Sequence, residues 1–280
     1  MKRLKPREIG GAATGYAILF VSIVFSLFPA VWMALSSIKS QGELFTVPPT
    51  FFAQNPTFES YKRVIFETQI PRAFLNSLFI SSMTMLLTVI IGLFAGYGFA
   101  RFKFRGNKVL STALLFSQMM PAIVLLLALY KIYVKMGFID TYRVNILTNI
   151  ATNMPMAALT LTAFVRSIPR EMDEAAMIDG ANRIRTLFNI IVPAITPGIV
   201  TVSIFTFLNT WEEFLFAFNF TNSAKFKTLT IVIKEFKGQF IIDWGGMMSA
   251  AMVISVPVLL VFLLCNKYFI KGLTSGAVKG

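Results

Sequence analysis

Six apolar stretches constrain this chain more than any other feature: Gly15–Ser36, Ala73–Phe99, Val109–Tyr130, Asn145–Val165, Thr196–Phe218 and Met247–Tyr268. Roughly 20 helical residues cover a hydrocarbon layer of about 30 Å. Because lipid offers a backbone no hydrogen bonds, segments of this kind cross it as helices. The expected fold class is therefore an all-α integral membrane protein with six transmembrane helices. Composition agrees, with 56% hydrophobic and 14% charged residues against roughly 45–50% and 25% in soluble domains. The first stretch has no small-residue cleavage site after it and reads as a retained helix rather than a signal peptide. The one cysteine, Cys265, lies inside the last stretch, forms no internal disulfide and reads as a small hydrophobe.

Charge sets the expected orientation. The chain holds 26 Lys and Arg against 13 Asp and Glu, but these are dispersed among loops, no nucleic-acid module is present, and a nucleic-acid partner is not expected. If residues 1–14, 101–108, 166–189 and 267–280 face the cytoplasm, they carry 15 basic residues against 11 elsewhere. The bias is sharpest in the short connection Arg101, Lys103, Arg105 and Lys108, where the positive-inside rule is most dependable. Both termini are then cytoplasmic.

The connections and spans carry further marks. Between the first two spans, residues 38–71 hold Pro48, Pro49 and Pro56 with the aromatics Phe45, Phe51, Phe52, Phe58 and Tyr61, either an interfacial belt or a surface for a partner. Gly92 and Gly96 permit close helix approach in lipid, and Gly98 follows them. Pro121 removes a backbone donor in the third span, so a kink is expected there. In the fourth span Asn145, Thr148, Asn149, Thr152, Asn153 and Thr160 recur at helical spacing, with Pro155 among them. They face either partner helices or a wet cavity. Ser203, Thr206, Asn209, Thr210 and Glu213 form a similar stripe in the fifth span, with Glu212 about 100° away. Carboxylates near a membrane line an aqueous path, pair, or are solvated at the interface. The tail from Lys271 to Gly280 is glycine-rich and of a type usually disordered. With no long repeat or soluble domain, residues 1–280 read as one membrane domain, with an N-terminal arm over 1–14, a loop over 166–193 and a tail over 269–280.

That loop is the segment richest in chemical information. Ser167 is a plausible N-cap, Pro169 fits a first turn, and Glu171 and Asp173 complement the helix dipole. Gly180 offers a left-handed C-cap, and a second helix over 183–191 runs into Pro193, making a helical elbow. Met172, Ala175 and Ala176 share a face on which small side chains let a foreign groove close, with Glu174 beside it. The plain alternative is a surface helix laced by the i,i+4 pairs Arg170–Glu174 and Asp179–Arg183.

Glu174-Ala175-Ala176-x-x-Asp179-Gly180, with Ile190, Val192 and Pro193 after it, resembles the signature loop of the permease subunits of binding-protein-dependent ABC importers. It departs from that loop in valine where leucine is usual. Further matches are to the maltose-type carbohydrate branch: Asn55-Pro-Thr-Phe-x-x-Tyr61, Met120-Pro121, Gly137-Phe-Ile-Asp140, Thr210-Trp-Glu-Glu-Phe214, Asp243-Trp-Gly245 and the terminal Gly272 to Gly280. Glu212 departs from the branch, which often has Asn after the tryptophan.

The resemblance implies the type I ABC importer permease fold, six helices with a cytoplasmic coupling helix. It also implies a second, different permease, two copies of an ATP-binding subunit and an external sugar-binding protein as partners, in a bacterial or archaeal cytoplasmic membrane. Glu174, Ala175, Ala176, Asp179 and Gly180 are then the ATPase-coupling residues, and Thr274, Ser275 and Gly276 reach the ATPase. The chain carries no phosphate loop, so it is not itself an enzyme; ATP and Mg belong to the partner, and no cofactor or metal is expected here. Helical phase nominates Asn149, Asn153, Asn209 and Glu213 for the path of a di- or oligosaccharide. The rival class is an ion-coupled secondary transporter using Glu212 or Glu213, whose halves should show inverted repeats; none is visible.

Overall fold

The structure is a computed structural model that describes residues 6–238 and 242–277, with side chains described over 15–238 and 242–263. Its helices are α1 (Pro6–Ser37), α2 (Glu59–Phe66), α3 (Ile70–Arg101), α4 (Asn107–Ser117), α5 (Ala122–Met136), α6 (Tyr142–Ser167) and α7 (Arg170–Ile178). There follow α8 (Arg183–Thr186), a π-helical turn at Leu187–Ile191, α9 (Val192–Ala194), α10 (Thr196–Trp211), α11 (Leu215–Phe220), α12 (Leu229–Glu235) and α13 (Trp244–Ala277). Among the described residues there is no strand, only an isolated bridge between Lys237 and Ile242.

Among the described residues, three helices are by length and apolar composition fit to cross a membrane, Gly15–Ser37, Ile70–Arg101 and Trp244–Leu263, and five if each of two bent pairs counts as one span. The expected kink at Pro121 is a full break: α4 and α5 meet at 104°, with Pro121 in the N-cap position of α5. Arg183–Ala194 and Thr196–Trp211 meet at 81°. The fifth apolar stretch, expected as continuous helix to Phe218, stops at Trp211 and resumes as α11. The fourth is one unbroken 26-residue helix, diluted by its Asn and Thr side chains.

Two compact units divide the chain. The first combines residues up to Ile70 with Ile233–Ser255. Within it Tyr61 and Ser37 share a hydroxyl hydrogen bond of 2.7 Å, and Ser249 donates to the Ser37 carbonyl at 3.1 Å. Arg63 pairs with Asp243 at 2.7 Å, and Asp243 in turn accepts from the Gly246 N–H at 3.0 Å in the first turn of α13. Two of the sequence's family-like patches, around Tyr61 and Asp243, are thus structural ties. Of the aromatics between residues 38 and 71, Phe51 packs against Trp32 and Phe52, and Phe45, Phe51, Phe52 and Phe58 are all exposed.

The second unit, Pro71–Val232 with the chain from Val256 onward, is built on α3, α6 and α10. Gly92 and Gly96 put the α3 backbone against α6: a Cβ at Gly96 would lie 2.9 Å from Leu161 Cβ, and one at Gly92 3.2 Å from Ala157 Cβ. Gly98 has nothing within 4 Å and takes no part. Around this contact Leu93, Tyr97, Ala100, Leu161 and Val165 form a core with Leu187, Ile191, Ile195 and Val202. A second core gathers Leu126, Tyr133, Val144, Phe216 and Phe220. Next to it Asp140, at φ 60°, accepts hydrogen bonds from the N–H groups of Asn222 and Ser223, both at 2.9 Å.

Candidate functional site

The elbow forms where the sequence puts it, closed at Gly180 as expected but with a different N-cap and a different inner face. Pro169, not Ser167, occupies the N-cap position of α7; Ser167 turns back to the Phe164 carbonyl at 2.7 Å. At the other end Gly180 has φ 83°, its N–H bonds to the Met177 carbonyl at 3.1 Å, and the Ala181 N–H bonds to that of Ala176 at 2.9 Å. This doubled closure is the Schellman motif, which glycine enters without steric cost. Asn182 then caps α8 by accepting from the Arg185 N–H at 2.8 Å. The second arm of the elbow loosens into the π turn, where the Val192 N–H reaches the Leu187 carbonyl and Leu187 and Ile191 are driven into the core.

The face expected to hold Met172, Ala175 and Ala176 together is divided. Ala176 and Asp173 point inward, at 5% and 6% exposure, whereas Glu171, Met172, Glu174, Ala175, Ile178 and Asp179 are exposed. In place of the i,i+4 pairs of the plain alternative, Arg170 and Arg183 make tertiary contacts. Arg170 donates to the Ala100 carbonyl at 3.3 Å, and the Arg183 guanidinium lies over the Phe102 ring, 4.7 Å from its centroid.

Arg101 and Asp173 form a buried pair that sequence reasoning did not join. The Arg101 Nε pairs with the Asp173 carboxylate, both side chains being nearly inaccessible at 5% and 8%, and Arg101 Nη2 also donates to the Ile168 carbonyl at 3.0 Å. Breaking such a buried pair by removing one partner costs roughly 3–5 kcal/mol, because the other charge is stranded. Arg166 and Arg170 meanwhile supply donors to the Phe99 and Ala100 carbonyls, cations placed at the negative end of the α3 dipole. The only sequence signal was the basic cluster 101–108, which also reads as topology. Beside this clasp Lys103, Arg105, Lys108, Arg166 and Arg170, with Phe99, Phe102 and Phe104, line an open basic recess of ≈ 760 Å³.

Most of the fourth-span stripe folds inward, while its Thr152 and the fifth span's Asn209 remain exposed. Asn145, Thr148, Asn149 and Asn153 are all buried. Asn145 donates to the Thr221 hydroxyl at 3.1 Å, and Asn149 and Asn153 donate to the carbonyls one turn back at 2.9 and 2.8 Å. Asn209 is exposed on α10 and donates to the Asn153 Oδ1 at 3.1 Å, so the structure brings those two together. Glu213 leaves the stripe: past the end of α10 its carboxylate oxygens accept the N–H groups of Phe216 at 2.7 Å and Ala217 at 2.9 Å, capping α11. Helical phase misplaced it because the helix had already ended. The sequence reading also missed a hydroxyl row on α3. Ser77, Ser81, Thr84 and Thr88 are buried, and the last three, with Thr206 and Thr210 of α10, have no protein hydrogen-bond partner. Their 4, 3, 4 spacing was the available signal. Thr274, Ser275 and Gly276 sit where α13 is described as backbone only, so their side-chain contacts lie outside the described residues, as do those of Cys265; Lys279 lies outside them altogether.

Residues 88–275 match the family model described as binding-protein-dependent transport system inner membrane component. Among curated relatives, the trehalose/maltose transport system permease protein MalG of Thermococcus litoralis is 34% identical over 265 residues, covering 92% of this chain and 93% of its own. The sulfoquinovosyl glycerol transport system permease protein SmoH of Agrobacterium fabrum is 31% identical over 260 residues, with 93% and 91% covered. Among solved structures, a chain of a bacterial ABC transporter involved in the import of the acidic polysaccharide alginate superposes with a TM-score of 0.83 at 17% identity, covering 96% of this chain and 100% of that one. That likeness extends the agreement to the fold.

Proposed function

The chain belongs to the family of binding-protein-dependent transport system inner membrane components, and from that premise we propose that it is the transmembrane permease subunit of an ABC importer, moving a di- or oligosaccharide across the cytoplasmic membrane while a separate subunit hydrolyses ATP. The observation that carries this reading is the state of α7. Glu174, Ala175 and Ile178 stand uncovered on a helix whose opposite face is pinned through Asp173 and Ala176. A short helix fixed on one side and bare on the other is a rigid bearing for a groove on a soluble protein. The chain has no phosphate loop, so its energy must arrive through such a contact.

The proposed assembly pairs this chain with a second, different permease and two ATP-binding subunits that hold ATP and Mg, fed by an extracytoplasmic sugar-binding protein. The elbow, both termini and the Thr274–Gly276 segment face the cytoplasm, with the segment touching the ATPase. Six crossings are proposed: α1, α3, the α4–α5 pair, α6, α10 with its bent partner, and α13. At 1.5 Å per residue, α6 is roughly 39 Å long, enough to cross despite its polar stripe.

The sugar path is assigned to Asn149, Asn153 and Asn209, with the unpartnered hydroxyls of α3 and α10 as further candidates, since a sugar offers donors and acceptors to groups that are costly to leave unmatched. Glu213 borders this path but has its carboxylate committed to α11, which disfavours ion coupling through that residue. ATP-driven closure of the partners displaces the elbow and rocks the bundle between inward-facing and outward-facing states.

Purified from its native membrane, the chain should bring an ATPase and a second permease, and in vesicles uptake should need ATP and survive an uncoupler. Uptake without ATP would remove the reading. Gly180→Val, which places a β-branched residue in left-handed backbone at roughly 1–2 kcal/mol, should lower uptake per ATP. Unchanged uptake would exclude the elbow from coupling.

A further inference from the structure

Resting on the importer reading, the clasp behind α7 has a mechanical consequence. Short connections through Ile168 and Pro169 tie α7 to α6, and the Gly180 turn leads it towards α10. The helix α3 lies far away in sequence and can feel the elbow only through non-covalent contact. That contact runs in both directions. Arg101 reaches out of α3 to Asp173 and the Ile168 carbonyl, while Arg166 and Arg170 reach back to the carbonyls of Phe99 and Ala100, and Arg183 covers Phe102. Membrane orientation does not require a buried arginine here, because Lys103, Arg105 and Lys108 already supply exposed positive charge.

We infer that Arg101 and Asp173 are positioning residues that fasten the α7 elbow to the C-terminal end of α3, so that elbow and helix move as one body when a partner displaces the elbow. The close seating of Gly92 and Gly96 on α6 then passes a displacement entering at Arg101 to two helices rather than one. Without the clasp, α7 swings on its two short connections and the displacement is lost in them.

The test uses the full transporter, reconstituted with the ATPase and second permease that accompany this chain, and reads sugar uptake divided by ATP hydrolysis. Arg101→Gln and Asp173→Asn are each expected to lower that ratio at least about fivefold, the lower end of ordinary coupling between sites. A merely structural role would reduce the amount of complex and both rates together, leaving the ratio unchanged, and that result overturns the inference. In a Cys265→Ser background, Arg101→Cys with Asp173→Cys should show the same loss, and a short bis-methanethiosulfonate bridge between the thiols should restore the parent ratio. A bridged protein that stays uncoupled overturns it too.

A second measurement leaves the clasp intact. Spin labels at the exposed positions Lys103→Cys and Glu171→Cys should keep their separation within about 2 Å between nucleotide-free and ATP-trapped states, the size of an ordinary helix adjustment; a larger change overturns the inference whether or not the clasp variants assemble. A parent that takes up sugar without ATP would instead defeat the importer reading. A parent that couples, with clasp variants that couple equally well, defeats the clasp alone.

Discussion

At Gly96 a single methyl group has nowhere to go: its Cβ would stand 2.9 Å from Leu161 Cβ and 3.0 Å from the backbone of Leu161 and Thr162. Backbone cannot yield as a flexible side chain can, so Gly96→Ala is expected to cost about 1–3 kcal/mol, read as a lowered Tm of the detergent-purified protein. Gly98→Ala, in open space, should leave Tm unchanged or raise it, alanine being the better helix former. Asp140 carries a pH dependence. Burial pushes its carboxyl up, but the Ser223 N–H and hydroxyl and the Asn222 N–H outweigh that and hold it below the usual aspartate value. A folded value below the unfolded one of about 3.9 means the contribution is present above that pH and fades as pH falls through the folded value. Asp140→Asn tolerates the left-handed backbone and should cost about 1 kcal/mol at pH 7, with the gap to the parent closing below about pH 4. A gap in thermal unfolding that survives further acidification would mean the charge is not the cause. The glycine contact was legible because only small residues permit it, whereas Arg101 and Asp173 were not, since no local rule joins two charges so far apart in sequence.

Among the elements, α11 shows how a helix end changes the meaning of a residue. Glu213 looked like the end of a polar stripe, yet it caps a six-residue helix. Glu213→Ala should destabilise by about 1 kcal/mol, the usual value of a lost cap, or roughly 2–4 °C in Tm for a chain of this size class. The exposed Glu212→Ala should do neither, and equal effects of the two would remove the capping account. Pro121 was legible as a disturbance, because a missing donor is a local fact. The 104° bend it accompanies was not, since what the chain does after a break depends on what receives α5. The π turn at Leu187–Ile191 likewise has no clear signature in its sequence; it follows the burial of Leu187 and Ile191 in a core supplied by α3 and α6.

For the whole molecule the proposed topology has a direct check. In a Cys265→Ser background, a membrane-impermeant maleimide should label Phe58→Cys on intact spheroplasts and Ile178→Cys only after lysis, both parent residues being exposed; labelling of Ile178→Cys on intact cells would place the elbow outside and end the coupling proposal. The apolar stretches, the elbow and its Gly180 cap were written in the sequence, because lipid solvation, helix period and the steric freedom of glycine act over neighbours along the chain. Which face of α7 is bare, where the polar stripes turn, what Glu213 bonds to and that Arg101 meets Asp173 were decided only by tertiary structure. Those outcomes depend on groups that folding brings together from distant positions, and burial strengthens an encounter between charges that the linear order does not specify.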